Sequence, residues 1–400
     1  MEKLSKILRW ISWIIVFLLI QSSLFAQDNN PKVDKKKFND VVAFKGYLKF
    51  METSSFVNLD NFLTSSLIHN RLNFKVYATD NWTFKVDFRN RIIWGNYLST
   101  VPGYIDGVTE DNGLWDMSIN WAEGDAFVFN TTVDRLWADY SKGNFSARLG
   151  RQRINWGLNY VWNPNDLFNA FNYFDFDYEE RPGADALRVQ YFTGGMSAID
   201  IGIKPARDAK DAVYAGQYRF NTLGYDFQIL GGYYHERITA GGGLAGNVGT
   251  AALKAEGTWF GENDSIASSF SGAFDVQYGF KNGVNLIFSY LYNSAGTNSL
   301  NPQDGQLLIF SSELSPDNLM PSKHSGFGDI SYTFNPLITA DIGAMYTFGF
   351  NMFFIMPNLT YSIKENLDLN VLAQIFATFE DLKGMPTQSN FVYIRFKWSF

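Results

Sequence analysis

From Val42 onward the chain alternates hydrophobic and polar positions with a period of two. Between Trp82 and Gly95, Phe84, Val86, Phe88 and Ile92 fall on one face, and Lys85, Asp87, Arg89 and Arg91 on the other. Residues 270–280 repeat this: Phe270, Phe274, Val276, Tyr278 and Phe280 alternate with Ser271, Ala273, Asp275, Gln277 and Gly279. Such alternation marks strands whose faces meet different surroundings. Beyond the N-terminal region no stretch is continuously apolar, so a membrane could be crossed only by strands.

Turn residues divide the pattern. Short turns are predicted at Asp80-Asn81, Ser141 to Asn144, Gly194-Gly195, Lys281 to Gly283, Asn335-Pro336 and Lys364 to Asn366. Long segments cover 96–130, 154–183 and 295–324. Bacterial outer-membrane barrels keep short turns on the periplasmic side, long loops outside and an even strand number. With every long segment placed on one side, strands fall near 43–53, 64–79, 82–95, 131–141, 144–154, 184–193, 195–205, 212–221 and 224–235. They continue near 238–248, 250–260, 268–280, 284–294, 325–334, 337–349, 352–363, 367–380 and 389–400. The glycine-rich stretch from Ile238 to Gly249 reads locally as a loop, but only a strand there keeps 295–324 on the same side as the other long segments. The prediction is an all-β, antiparallel, up-and-down transmembrane barrel of about 18 strands, with 16 as the alternative.

Composition agrees. Aromatic residues make up 17% and charged residues 18%, against roughly 25% charged in soluble domains. Mean hydropathy is only −0.15, because lipid-facing and lumen-facing residues cancel. The chain has no cysteine, which excludes disulfides, thiolate metal sites and a lipoprotein anchor.

Residues 1–26 read as a signal peptide, with Lys3, Lys6 and Arg9 before the apolar run Trp10 to Ile20 and a cut after Ala26. Residues 27–42 are a polar periplasmic lead-in, and 43–400 the barrel. Removing the signal leaves 30 basic against 39 acidic residues, a net charge of −9, which argues against nucleic acid as a partner. The last ten residues read FVYIRFKWSF, with Phe396, Trp398 and Phe400 on the apolar face. A strand closed by phenylalanine resembles the signal read by the barrel-assembly machinery.

The non-lipid face of the first half carries Arg71, Lys75, Lys85, Arg89, Arg91, Arg135, Arg148, Arg188 and Arg219. On the lipid face, Arg or Lys near the midplane costs roughly 2–4 kcal/mol, so these bases are placed inside as one wall of a lumen, partly neutralised by Asp87, Asp139, Asp185 and Asp226. The segment 154–183 combines aromatics with Asp166, Asp175, Asp177, Glu179 and Glu180. So apolar a loop is expected to fold into the barrel and narrow it, with Trp162 and Asn163 in the constriction and Asn165 capping a short helix. Acids on this loop facing bases on the wall would set up a transverse field; the plainer reading is salt bridges that hold the loop in place. Arg151 and Arg153 are out of step with Arg148 and are expected to lie above the lipid and reach the loop's carboxylates, Glu179 or Glu180.

At GRQRINWGLNYVWNPNDLFNAF (Gly150 to Phe171), YEERPGADALRVQY (Tyr178 to Tyr191) and GGLAGNVGTAALKAEGTWF (Gly242 to Phe260), the chain resembles porin-like outer-membrane proteins of the alginate-export and related porin superfamily. The resemblance implies a diffusion channel or exporter and does not fix a substrate. The expected function is a channel in the outer membrane of a Gram-negative bacterium for small polar or anionic solutes, without cofactor or metal. Export or surface assembly of a polysaccharide is the alternative. A hydrolase is disfavoured: of His69, His235 and His324, only His324 neighbours a serine, and adjacent strand residues point to opposite faces. The acidic residues 175–180 lack the regular spacing of a calcium loop. Expected partners are outer-membrane lipid, the assembly machinery and small polar solutes or saccharides; an oligomer is left open, since no residue pattern marks a subunit interface.

Overall fold

The computed structural model describes residues 41–57, 62–169, 180, 182–298, 314–349, 351–378 and 388–400. The expected signal peptide and nearly all of the lead-in lie outside the described residues. The compact unit runs from Val42 to Phe400.

The first strands are β1 (Val42–Phe56), β2 (Phe62–Tyr77) and β3 (Trp82–Trp94). A short β4 (Ser118–Gly124) precedes β5 (Phe127–Lys142), β6 (Phe145–Gln152), β7 (Ala184–Gly194) and β8 (Ser197–Lys204). Next come β9 (Val213–Thr222), β10 (Tyr225–Tyr234), β11 (Arg237–Val248), β12 (Ala251–Phe260), β13 (Ser269–Gly279) and β14 (Val284–Asn293). The ring ends with β15 (His324–Asn335), β16 (Ile338–Phe348), β17 (Met352–Lys364), β18 (Leu367–Thr378) and β19 (Gln388–Ser399). Helices α1 (Asn96–Thr100) and α2 (Tyr104–Thr109) lie between β3 and β4.

Successive staves pair antiparallel, and β19 returns to β1 with Lys49 opposite Lys397 and Phe50 opposite Phe396. Because β3 pairs directly with β5, β4 is not a stave, and the closed barrel has 18. β4 is a correction to the sequence reading, which left 96–130 as loop. Its cause is local. β6 covers only Leu136–Lys142 of β5, so the other end of β5 would present an unpaired edge; β4 folds back and pairs it from Phe127 to Thr132. The glycine-rich β11 is a strand paired on both sides.

One rim carries turns of two to four residues, and all the long connections lie on the other. Most outward positions are apolar, among them Leu149, Ile201, Ile229, Ile342 and Ile394, all exposed. Inward positions carry the charged and polar side chains, and Lys49, Arg71, Asp200 and Asp275 are fully buried.

That burial comes from three segments that fold inward. Leu98 of α1 packs on Met51, Leu67, Ile93 and Val128 of the inner wall, with Tyr104 and Val108 alongside. Residues Ile154, Trp156, Leu167 and Phe168 pack on Val213, Leu230 and Phe260. Val161 and Trp162 join Leu319 and Met320 against Leu291, Phe327 and Met345. The middle segment was expected from its aromatics. The other two were not.

Candidate functional site

The lumen wall is built from alternate residues of the staves. Arg71 on β2 meets Asp134, lies 3.2 Å from Asp87 and 3.6 Å from Glu180. Arg89 reaches Asp134 at 3.4 Å, Lys85 reaches Asp87 at 2.9 Å, and Arg188 reaches Asp200 at 2.6 Å. Arg148 pairs with Asp139 at 2.9 Å and lies 4.2 Å over the Trp137 ring. Arg135 donates to the Asp134 carbonyl at 2.7 Å. Arg91 donates to the Val108 carbonyl of α2 and to Asn130, Lys75 lies 4.6 Å over Tyr77, and the buried Nε of Arg219 makes no hydrogen bond among the described residues. The wall is therefore an ion-paired lattice rather than a row of bare cations.

Asp134 is the acid that strict alternation misses. The register slips between Asp87 and Phe88, leaving Asp134 as an extra residue in β5. Through this bulge both Asp134 and its neighbour Arg135 are buried.

Residues 153–169 cross the lumen as an extended segment whose amides meet wall carboxylates at alternate positions. Leu158 N–H donates to Glu256 of β12 at 2.8 Å, and Tyr160 N–H to Asp275 of β13. Trp156 Nε1 donates to Asp200 at 3.2 Å, Tyr160 Oη to Gln277 at 2.5 Å, and Lys254 sits 3.4 Å over the Tyr160 ring. Asn165 is not a helix cap as expected. Residues 163–167 form a turn, with Asp166 N–H on the Asn163 carbonyl. The Asn165 side chain instead accepts from Thr258 at 2.6 Å and donates to the Gly242 carbonyl at 3.0 Å. Its approach explains the inward glycines of β11: a Cβ at Gly241 would stand 3.1 Å from Asn165 Oδ1, and one at Gly243 2.9 Å from Leu158 Cδ1 and 3.2 Å from Asn165 Nδ2.

Of the expected constriction residues, Trp162, Asn163 and Asp166 are buried in this segment, and Asp166 accepts from Trp156 N–H at 3.3 Å. Asp175, Asp177 and Glu179 lie outside the described residues. Glu180 meets the wall at Arg71.

Arg151 corrects its assigned partner. It grips Asp185 with Nε and Nη2, both at 2.9 Å, and donates to Asp111 at 2.6 Å and to the Trp115 carbonyl at 2.7 Å. It thus ties down the segment 111–115, while Glu180 meets Arg71 and Glu179 lies outside the described residues. Three residues from Arg148, it shares a face with Leu136, its register partner. Gly150, at φ 120, makes the bend before it, where a Cβ would stand 2.2 Å from the Leu136 carbonyl. Burial pushes the Asp111 carboxyl up, but bonds from Arg151 and from the amides of Gly113 and Met117 outweigh this and hold it below the usual carboxylate range. The Nε of Arg153 is buried and makes no hydrogen bond among the described residues.

The far wall differs. From β13 to β18 the strands carry one cation, Lys364 at a strand end. Their lumen face holds Asp329 and a chain of amides: Gln277 donates to Asn285 at 2.9 Å, Asn358 to Asp341 at 2.7 Å, and Asn370 to Asn358.

The histidines are apart. His69 is 3.3 Å from Tyr47, His235 sits in the β10–β11 turn, and His324 is 2.6 Å from Tyr290. Ser325 bonds Ser322 instead. No group of three or more metal-ligating side chains is found among the described residues. Phe396 and Trp398 are outward and exposed, and Phe400 closes the ring through two backbone bonds to Gly46.

Asp200, Glu256 and Asp275 went unmarked as loop anchors, although each is a lone acid on a strand whose other face is apolar. The cost of charge in lipid would have placed each inside, but not said what it meets.

No family model and no curated protein matches the chain, so the alginate-export resemblance finds no support there. Solved structures do match. The chain is similar to Acinetobacter baumannii OccAB4 at 11% identity, covering 91% of this chain and 100% of that one, with a TM-score of 0.58. It is also similar to Pseudomonas aeruginosa OccK7 (OpdD) at 9% identity, 90% and 98% coverage and TM-score 0.55. For OccK11 (OpdR) of the same organism the values are 9%, 90% and 96%, and 0.54. At such identities the likeness is one of fold: the chain has the closed, antiparallel 18-strand barrel of porins.

Proposed function

We propose that the chain is a porin-like channel of the Gram-negative outer membrane, passing small polar or anionic solutes by diffusion. The observation that carries this reading is residues 153–169 tied across the lumen by Asp200, Glu256 and Asp275, between a cation-bearing wall and one whose single cation, Lys364, sits at a strand end. Barrels of about 16–18 strands leave room for an aqueous lumen, and this segment narrows it. The Arg–Asp lattice facing a strip of carboxylates and amides gives the lumen a transverse polarity that orients polar solutes. Phe396, Trp398 and Phe400 serve as the assembly signal, and residues 1–26 as the export signal. Polysaccharide export asks for a long unobstructed conduit, which three inward-folded segments disfavour.

Planar-bilayer recording of the purified protein tests the channel. Ion conductance is expected, with anion selectivity that falls when Arg71, Arg89 and Arg135 are neutralised. A protein that inserts but passes no current would sink the reading.

A further inference from the structure

Beyond pairing with β5, the short β4 turns one face to the lumen. Its Ser118 and Asn120 stand opposite Thr132 and Asn130, both buried on the inner side. Asn130 donates to the two of them, at 2.8 Å and 2.9 Å. That face of β4 therefore looks into the mouth of the barrel, at the rim of the long connections. There it bounds a cavity of about 300 Å³. Thr109 and Glu110 at the end of α2 line the cavity, with Asp111, Asp116, and Arg207 from the β8–β9 connection. Every lining residue is polar.

Most of this lining is already bonded. Asp111 is held by Arg151 and by the amides of Gly113 and Met117. Ser118 donates to the Thr109 carbonyl at 2.7 Å, and Asn120 to Glu123 at 2.8 Å. The capacity left over is of both signs. Asp116 uses only Oδ1, for the Ser118 amide at 3.1 Å. Its Oδ2 and the exposed Glu110 carboxylate accept no hydrogen bond among the described residues. Arg207 donates through Nε and Nη2 to the Leu114 and Asp111 carbonyls, at 3.4 Å and 3.3 Å, and leaves Nη1 unused. The guanidinium and the two carboxylates line one cavity, yet they form no ion pair with each other. A gap lies between opposite charges.

We propose that this cavity is an entry subsite for a neutral, hydroxyl-rich solute the size of a monosaccharide. A hydroxyl donates and accepts at once, so neighbouring hydroxyls can donate to Glu110 or Asp116 while accepting from Arg207. Hydrogen bonds to charged partners are the strong ones. A simple anion or cation would instead meet its own sign across the gap. The volume, room for about ten waters, suits a single sugar ring. Serving as an entry point rests on the channel reading; binding does not.

Saturation-transfer NMR tests binding, on the purified protein in a detergent without a sugar headgroup. D-glucose is the probe, with L-alanine and acetate beside it. A glucose signal is expected, falling at least about fivefold in Glu110→Gln/Asp116→Asn and in Arg207→Met, each of which loses hydrogen bonds to a charged group. Heat-shifted gel mobility checks that these barrels are folded. Asp125→Asn, at an exposed acid of the same rim outside the cavity, should keep the wild-type signal. No glucose signal, equal signals in all variants, or binding of alanine without glucose would overturn the subsite, and leaves the channel standing where bilayer current is seen. Glucose bound by a barrel that passes no current would overturn the entry role together with the channel.

Discussion

Arg151 and Asp185 stand opposite each other on β6 and β7 and meet through two parallel bonds, both 2.9 Å. Both side chains are almost fully buried, and the fork geometry belongs to arginine. The same guanidinium holds Asp111 and the Trp115 carbonyl, so one side chain joins two staves to the segment that precedes β4.

Arg151→Ala leaves Asp185 and Asp111 buried without their cation. Breaking a buried pair on one side costs about 3–5 kcal/mol, so thermal unfolding in detergent should shift down and proteolysis within 95–126 should accelerate. Arg151→Lys should recover only part, since an ammonium cannot form the fork. Wild-type stability and digestion in Arg151→Ala would show that the tie is idle.

The Asp111 contacts set a pH dependence. Its folded carboxyl titrates below the usual range, so the unfolded chain binds the proton first as pH falls. The stabilisation is complete above the ordinary aspartate pKa of about 3.9 and is lost only as pH drops below it towards the folded value. Hydrogen exchange at the Gly113 and Met117 amides, which donate to Asp111, should stay slow until then. Deprotection that begins at higher pH would contradict the assignment.

Gly243 is one place where the inserted segment lies close against the wall. Gly243→Val forces its side chain into Leu158 and Asn165, an overpacking worth about 1–3 kcal/mol. The segment should lift and single-channel conductance should rise. Gly279→Ala, where a Cβ meets nothing within 4 Å, should leave conductance unchanged. Equal effects at the two sites would argue against a seated constriction.

Asp134 is shared by Arg71 and Arg89. Asp134→Asn removes that carboxylate and unbalances the lattice, so the reversal potential in a salt gradient should move towards anions. A shift towards cations would mean that the wall does not control selectivity.

The strands were legible because alternation is local: each inward Lys or Asp beside an outward Phe or Ile reports its own face. Glycine-rich β11 was not legible locally. Its inward Gly241 and Gly243 make room for Leu158 and Asn165, contacts made across some 80 residues of chain, and only the need to keep long loops on one rim identified it as a strand. The bulge at Asp134 was invisible, because an extra residue changes nothing in composition. The inward fold of 154–169 followed from its aromatics, which would be insoluble in the open.

The sequence by itself determined that the chain is a barrel with largely apolar outward and charge-bearing inward rows, since a period-two pattern assigns each side chain of a regular strand to a face. Which charges pair was decided by tertiary structure alone. Register sets Arg151 against Asp185, and a bulge places Asp134 between Arg71 and Arg89. The carboxylates that seat the inserted segment came from β8, β12 and β13. Ion pairs and hydrogen bonds need atoms within about 3 Å, and that proximity is a property of the closed ring, which a one-dimensional pattern of faces does not contain.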